Sequence, residues 1–439
     1  MTRPEATCPL ALLHSLFPAS LLRREAAAVG LVQRVRKVDV VQLFLAVVLT
    51  VTGRGGQTLA ALHRSYVFRS GQRLARSSFW GRLSPALGEL TGRLLRRMEV
   101  ESGARPPRYA GALGHFRDVV AVDATVIQVH DSLETCWPGT RTNSSPAAIK
   151  VHTWVRAATG ELLKHRITGE RYADSRAFGV GHDAAHKLFL FDRGYPSATL
   201  WHHIDQVRGY FLTRLPSSYD PVVVEVCRSH RGRARKLLNE RLKDLEPHLK
   251  RRVVDVRCTF RVHIRRYRGA RGRYIWPRYR VVGLWNDDRG EYHWYVTNIP
   301  PDMLPGEAMR DLYRLRWEVE TFYKTAKGGL GLNELPTSKK HIVELLVQAA
   351  LIRASVAMRA KAAASTKLPR AAWINPGQWL TVWRQVLPEL LDSIARGRRS
   401  LPGVTWRLLA RLAEDPNRSR RPTRTWCAGQ PTVFQGESA

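Results

Sequence analysis

The run Val119-Val-Ala-Val-Asp123-Ala-Thr125-Val-Ile-Gln-Val129 constrains the fold more than any other segment. It is β-branched and almost continuously apolar, the pattern of a central strand covered on both faces. A carboxylate inside such a strand is costly unless it is paired or holds a metal. Lys187-Leu-Phe-Leu-Phe-Asp192-Arg-Gly-Tyr195 repeats the arrangement. There a short apolar strand delivers an Asp to its carboxyl end, where open α/β sheets place their sites. Taken singly, either Asp could equally be structural, capping something at a strand end.

The segments around these two runs suggest an order. Residues 148–158 and 162–168 predict two further strands, turning at Thr159-Gly160, and 175–186 predicts a helix. A helix from Ser197 to about Val207 and a strand over 210–215 follow. Three strands, helix, strand, helix, strand is the order of a ribonuclease-H-like α/β core, expected first over 115–217. A β-rich insertion over 218–303 interrupts it, with strands at 222–226, 253–262, 279–285 and 292–298 and one charged helix near 233–245. The core resumes over 304–350.

Residues 1–107 predict a helical N-terminal domain. Val38, Val41, Phe44, Leu45 and Val48 have helical spacing, Gly53-Arg54-Gly55-Gly56 stops that helix, and others start at Thr58 and Ser77-Ser78. Arg64, Arg69, Arg73, Arg76 and Arg82 lie among Tyr66, Phe68, Phe79 and Trp80, which suits DNA binding and equally a solvated face over an aromatic core. Gly103 to Pro107 is a linker. Helices at 342–363 and 379–395 carry the chain through 351–414. The tail, 415–439, is rich in Arg, Pro, Ser and Thr and is expected to be disordered.

Composition narrows the partner. Lys and Arg number 71 against 37 Asp and Glu, a formal charge of +34. Such a charge favours a polyanion, because each neutralised phosphate releases counterions. The cations are dispersed along the chain instead of gathered in one amphipathic helix, so nucleic acid fits better than a membrane surface. The longest apolar run, 40–51, is too short to span a bilayer. Residues 9–22 faintly suggest a signal peptide, but Glu5 sits in what would be its basic lead and no cleavage site follows. The five cysteines form no C-x2-C pair, which argues against a structural zinc or a disulfide scaffold and fits a reducing cytoplasm.

The third acidic group lies in Tyr313-Arg-Leu-Arg316-Trp-Glu-Val-Glu320-Thr-Phe-Tyr-Lys-Thr-Ala-Lys327, followed by Gly328-Gly329. Good helix formers fill it, and the Gly pair marks a stop. At about 100° per residue, Tyr313, Arg316, Glu320 and Lys327 fall within an arc of roughly 60°, spread over about 21 Å of axis. A carboxylate flanked by cations along such a face suits a metal site beside phosphates. The bland alternative is a solvated face with i,i+4 pairs.

Tyr-x2-Arg-x3-Glu-x6-Lys resembles, at all four positions, the signature of the DDE transposases of the insertion-sequence-four type. Val-Asp123-Ala-Thr and Asp192-Arg-Gly-Tyr resemble that family's first and second motifs. The resemblance covers roughly residues 115–350. It implies that Asp123, Asp192 and Glu320 are catalytic and hold two Mg²⁺ ions, with Mn²⁺ able to substitute, and that Tyr313, Arg316 and Lys327 hold transposon-end phosphates. Hard divalent ions suit carboxylate oxygens and need no His or Cys. Some relatives use an insertion-domain Trp to hold a flipped base. Trp294 is the candidate here, with Trp285 competing and a plain core Trp as the alternative. Lys150, His152 and Asp174 are supporting or structural. His182 and His186 have i,i+4 metal spacing but no third ligand and are read as structural.

The function implied is a bacterial DNA transposase that binds the terminal inverted repeats of its own element, cuts them and joins them to target DNA. It is expected in the cytoplasm at the nucleoid, as a homodimer in the synaptic complex, with no membrane partner. A non-catalytic DNA-binding descendant and a metal-dependent nuclease are the alternatives.

Overall fold

The computed structural model describes residues 7–32, 38–51, 58–141, 145–195, 197–228, 237–264, 272–333, 335–369 and 373–415. Its strands are β1 (Asp118–Gln128), β2 (Pro138–Arg141), β3 (Ser145–Arg156), β4 (Leu162–Gly169), β5 (Lys187–Phe191), β6 (Tyr210–Arg214), β7 (Val222–Val226), β8 (Val253–Thr259), β9 (Val262–Ile264), β10 (Arg273–Ile275), β11 (Arg278–Asn286) and β12 (Glu291–Thr297). Ten of them form one mixed sheet in the order β2-β3-β1-β5-β6-β12-β11-β8-β7, with β4 paired to β3. β1, β5 and β6 run parallel, and the other pairings of this sheet are antiparallel. Helices flank the sheet, as expected of an α/β chain.

The pattern of β1 explains its central place. Ala121 and Ile127 face one core while Val120 and Val122 face another, so both sides of the strand are covered. Gly160 at the β3–β4 turn has φ +72°, the left-handed region that glycine enters without strain. The strand-rich insertion continues the central sheet: β12 pairs with β6, Val296 opposite Thr213. Arg280 grips Asp255 at 2.6 Å and donates to the carbonyls of Ile299 (3.2 Å) and Leu304 (2.7 Å). That clamp fixes the chain where it leaves the insertion.

Helices from Pro9–Leu16 to Pro85–Gly103 share one core with Lys340–Ser365 and Pro376–Ala395. The helices on the two sides of the sheet-forming segment are therefore packed together, although sequence separates them by more than two hundred residues. Lys340–Ser365 is long and apolar enough to cross a membrane by length and composition, and 83% of its apolar window is buried inside the protein.

Three local expectations change. The helix expected over 175–186 is one α-turn, Asp174–Phe178, and a 3₁₀ turn, His182–Ala184. Gly179, at φ +56°, ends the first, and His186 has φ +60°, so His182 and His186 share no helix face. Within 233–245 residues 237–241 are not helical and Leu242–Leu245 is a single α-turn, while residues 233–236 lie outside the described residues. The apolar run starts as an α-helix, Val40–Phe44, capped by Asp39, and continues as a π-helical turn, Leu45–Leu49. Its Gly53 to Gly56 stop and the tail beyond Asp415 also fall outside the described residues.

Candidate active site

Val122 of β1 and Phe191 of β5 are register partners in the parallel pairing. Asp123 is the next residue of β1 and Asp192 the first residue beyond β5, so the two aspartates sit on neighbouring chains at the carboxyl end of β5. β5 ends at Phe191 while β1 runs on against β3, which opens a notch beside Asp123. The Asp192–Tyr195 turn is closed by the Tyr195 N–H donating to the Asp192 carbonyl at 3.1 Å. Tyr195 Oη also lies 3.0 Å from His152 Nδ1 on β3, which ties that turn to the sheet.

Glu320 arrives from the helix that packs across β1 and β3. The chain is helical over Met309–Arg314 and again over Trp317–Lys327. Between them the hydrogen bonds tighten to i→i−3: Leu315 N to Leu312 O, Arg316 N to Tyr313 O and Glu318 N to Leu315 O. The single helix expected over 313–327 is thus two, joined by a tightened turn. The stop at the glycine pair is as expected, with Lys327 the last helical residue.

Val319, Phe322, Tyr323 and Ala326 form the buried face of the second helix. Tyr323 carries the polar tip on that face. Its Oη accepts from Thr153 Oγ1 at 2.9 Å and lies 3.0 Å from the Asp123 carbonyl and 2.8 Å from that of Val151. Its one proton serves two strand carbonyls, which pins the helix carrying Glu320 to the strand carrying Asp123. Sequence reasoning missed this residue. The available signal is a hydroxyl on an otherwise apolar helix face, three residues after Glu320, where only a strand backbone could satisfy it.

The three carboxylates surround one guanidinium. Arg316 Nη2 lies 2.5 Å from Glu320 Oε1, Nη1 3.9 Å from Asp123 Oδ2, and Nε 4.0 Å from Asp192 Oδ1. The Tyr313 ring lies 5.8 Å from the guanidinium. Burial pushes the Asp123 carboxyl up to about 6; the Ala124 N–H and Arg316 oppose that rise, and the charges of Asp192 and Glu320 add to it. Burial also lowers Lys327, against the pull of Asp123, and raises Tyr313 to about 12. Asp123, Asp192, Glu320, Tyr313, Arg316 and Lys327 therefore belong to one electrostatic cluster.

Among the described residues no three acidic groups converge into a ready ion cage, and the Arg316 guanidinium stands between them. The donor set nevertheless fits a hard divalent cation. It offers carboxylate oxygens only, and Asp123 is held above its usual range by burial beside two like charges.

Trp294 is not brought to this cluster. It is 8% exposed in the core under β11 and β12, against Tyr292, where its ring occupies the space above Gly283. The core alternative describes it, and a role as an exposed stacking platform is set aside. Lys150 pairs with Asp174 at 3.1 Å, and His152 bridges Tyr195 and Thr168, so these residues brace the notch from behind. Burial, chiefly, holds His152 down to about 4, while Asp174 pulls the other way.

An unfolded histidine titrates near 6.5. The fold therefore keeps the stability tied to neutral His152 above that pH and loses it as pH falls toward 4, by up to roughly 3 kcal/mol. Denaturant unfolding at pH 7 and pH 5 should show this slope in the wild type and a smaller one in His152→Gln. Equal slopes would remove His152 from the account.

The transposase DDE domain model matches residues 114–354, more than half of the chain, and the chain belongs to that family. It is similar to the transposase for insertion sequence element IS231B of Bacillus thuringiensis subsp. berliner, at 24% identity over 270 residues, 55% of this chain and 56% of that one. It is also similar to the transposase for insertion sequence element IS231E of subsp. finitimus, at 22% identity over 298 residues, 59% of each chain. The chain thus spans a little over half the length of the curated relatives it matches. Among solved structures it is similar to a piggyBac transposase in a synaptic complex with hairpin DNA, at 12% identity and a TM-score of 0.45, covering 92% of this chain and 84% of that one.

Proposed function

We propose that this chain is a DNA transposase that binds the terminal inverted repeats of its element, cleaves them and joins them to target DNA. The observation that carries the proposal is the placement of Asp123 and Asp192 on neighbouring chains at the carboxyl end of β5, with Glu320 linked to both through Arg316. Three partly exposed acids drawn around one largely buried cation are more than stability calls for, and catalytic sites are where such arrangements recur. Family membership supports the reaction class.

The order β4-β3-β1-β5-β6, antiparallel through β1 and parallel thereafter, supports a ribonuclease-H-like core built from 115–217 and 304–350. In this reading Asp123, Asp192 and Glu320 hold two Mg²⁺ ions, for which Mn²⁺ substitutes. The ions would activate the attacking oxygen and stabilise the leaving one. Arg316 is released from the carboxylates to a backbone phosphate, for which its planar fork is suited, and Lys327 offers a point charge. Tyr313 completes the phosphate contacts. The helices of 1–107 and the dispersed positive charge supply further DNA contacts, with two copies synapsing two ends at the nucleoid.

Two tests follow. Arg316→Ala and Lys327→Ala should each weaken end binding and reduce the slope of log affinity against log salt by about 0.9 per lost phosphate contact. An unchanged slope contradicts their phosphate role. Joining is tested with a pre-cut end bearing a free 3′-hydroxyl. Its covalent insertion into plasmid DNA with Mg²⁺ supports a transposase, and cleavage of intact ends without any joining makes the chain a nuclease.

A further inference from the structure

The β9–β10 hairpin carries a surface that the catalytic account does not use. Its register places His263 opposite Tyr274 and Val262 opposite Ile275, so that Arg261 and Trp276 come next on the two strands. Phe260 N donates to the Pro277 carbonyl at 3.0 Å, which continues the pairing to that step. Side chains alternate between faces along a strand. Val262, Ile264 and Ile275 therefore point inward, against the core beneath the Ala198–Gln206 helix. Arg261, His263, Tyr274 and Trp276 point outward.

That outward face is aromatic and basic together. Trp276 is 60% exposed and Tyr274 45%, with ring centroids 6.4 Å apart. The Arg261 guanidinium sits 3.9 Å from the Tyr274 ring centroid, and the His263 ring 4.8 Å from it. Arg278, two residues beyond Trp276, is exposed as well, and no ion pair to Arg261 or Arg278 occurs among the described residues. The sequence sharpens the point: between Asp255 and Asp287 there is no acidic residue and there are nine arginines. A core-forming hairpin needs its inward face only, and an indole left this exposed gains nothing from water.

We propose that the outward face of this hairpin binds an unpaired strand of DNA, with a base stacked on Trp276 and phosphates held by Arg261 and Arg278. Charge complementarity selects a polyanion, and the open indole selects bases whose π-faces are free, which a duplex conceals within its own stack. The proposal rests on the reading of the chain as a DNA-acting enzyme and assigns it a contact outside the carboxylate cluster.

The experiment is fluorescence anisotropy with a twenty-nucleotide oligo-dT and a duplex of equal length, both in EDTA so that nothing is cut. Trp276→Ala should lower affinity for oligo-dT about tenfold and change duplex affinity by less than about threefold, whereas Trp276→Phe retains most of the binding. Arg261→Ala and Arg278→Ala should each reduce the oligo-dT salt slope by about 0.7. These side chains point into solvent, and an unchanged circular dichroism spectrum confirms folding. Oligo-dT affinity unaltered in Trp276→Ala, or an equal loss on both probes, overturns the proposal. Metal-dependent end cleavage by the wild type, measured in parallel, keeps the two readings separate. A wild type that cuts while Trp276→Ala binds oligo-dT normally removes only the hairpin, and a wild type that never cuts counts against the transposase reading alone.

Discussion

Asp123→Asn is expected to abolish end cleavage, by at least about a thousandfold, and to leave the protein as stable as the wild type or more so. The two halves of that result have one cause. Asp123 is half-buried near two further carboxylates, and its carboxyl is pushed up to about 6, so its ionised form is disfavoured by the fold. Asparagine keeps the shape and the acceptor for the Ala124 N–H, and it removes the charge. A thousandfold loss corresponds to about 4 kcal/mol of transition-state stabilisation, of the order expected when one of three ion ligands disappears. Asp192→Asn and Glu320→Gln should lose cleavage similarly while binding ends. A structural aspartate behaves in the opposite way: its replacement lowers the melting temperature and spares catalysis. Melting temperature and cleavage measured on one sample of each variant separate the two.

Tyr323→Phe carries the second large effect. It removes one oxygen, which holds the Glu320 helix against the carbonyls of Asp123 and Val151. Two buried carbonyls and the Thr153 hydroxyl lose a partner, at a cost of about 1–3 kcal/mol in stability. Cleavage should fall further than stability explains, by roughly a hundredfold, because the carboxylates on either side of the joint must hold their spacing to within a fraction of an ångström. Affinity for end DNA should be unchanged, since Tyr323 is buried beneath the site. Cleavage at the wild-type level, with lowered stability only, would make Tyr323 a simple packing residue.

The carboxylate cluster was legible because its parts sit in segments whose patterns are hard to satisfy otherwise. β1 and β5 are so apolar that an aspartate within or just after them stands out, and their register follows from a short parallel pairing. The continuation of the sheet from β6 into β12 was not legible, because nothing local in 292–298 distinguishes an edge shared with the core from one within a separate domain. The joint core of the first and last helices was equally hidden, since it depends on contacts across the whole length of the chain. Helix-forming residues at 314–317 concealed the tightened turn that divides Tyr313 from Glu320. Trp294 looked available only because sequence does not show that Gly283 lies opposite it.

The most direct test of the account is cleavage of a labelled DNA carrying the element's own end, with Mg²⁺ and with EDTA, by the wild type and by Glu320→Gln. Nicking at the end that needs Mg²⁺ and disappears in Glu320→Gln, while both proteins bind that DNA with similar affinity, is the predicted result. Nicking that persists in Glu320→Gln, or in EDTA, would contradict the assignment of Asp123, Asp192 and Glu320 as the catalytic centre.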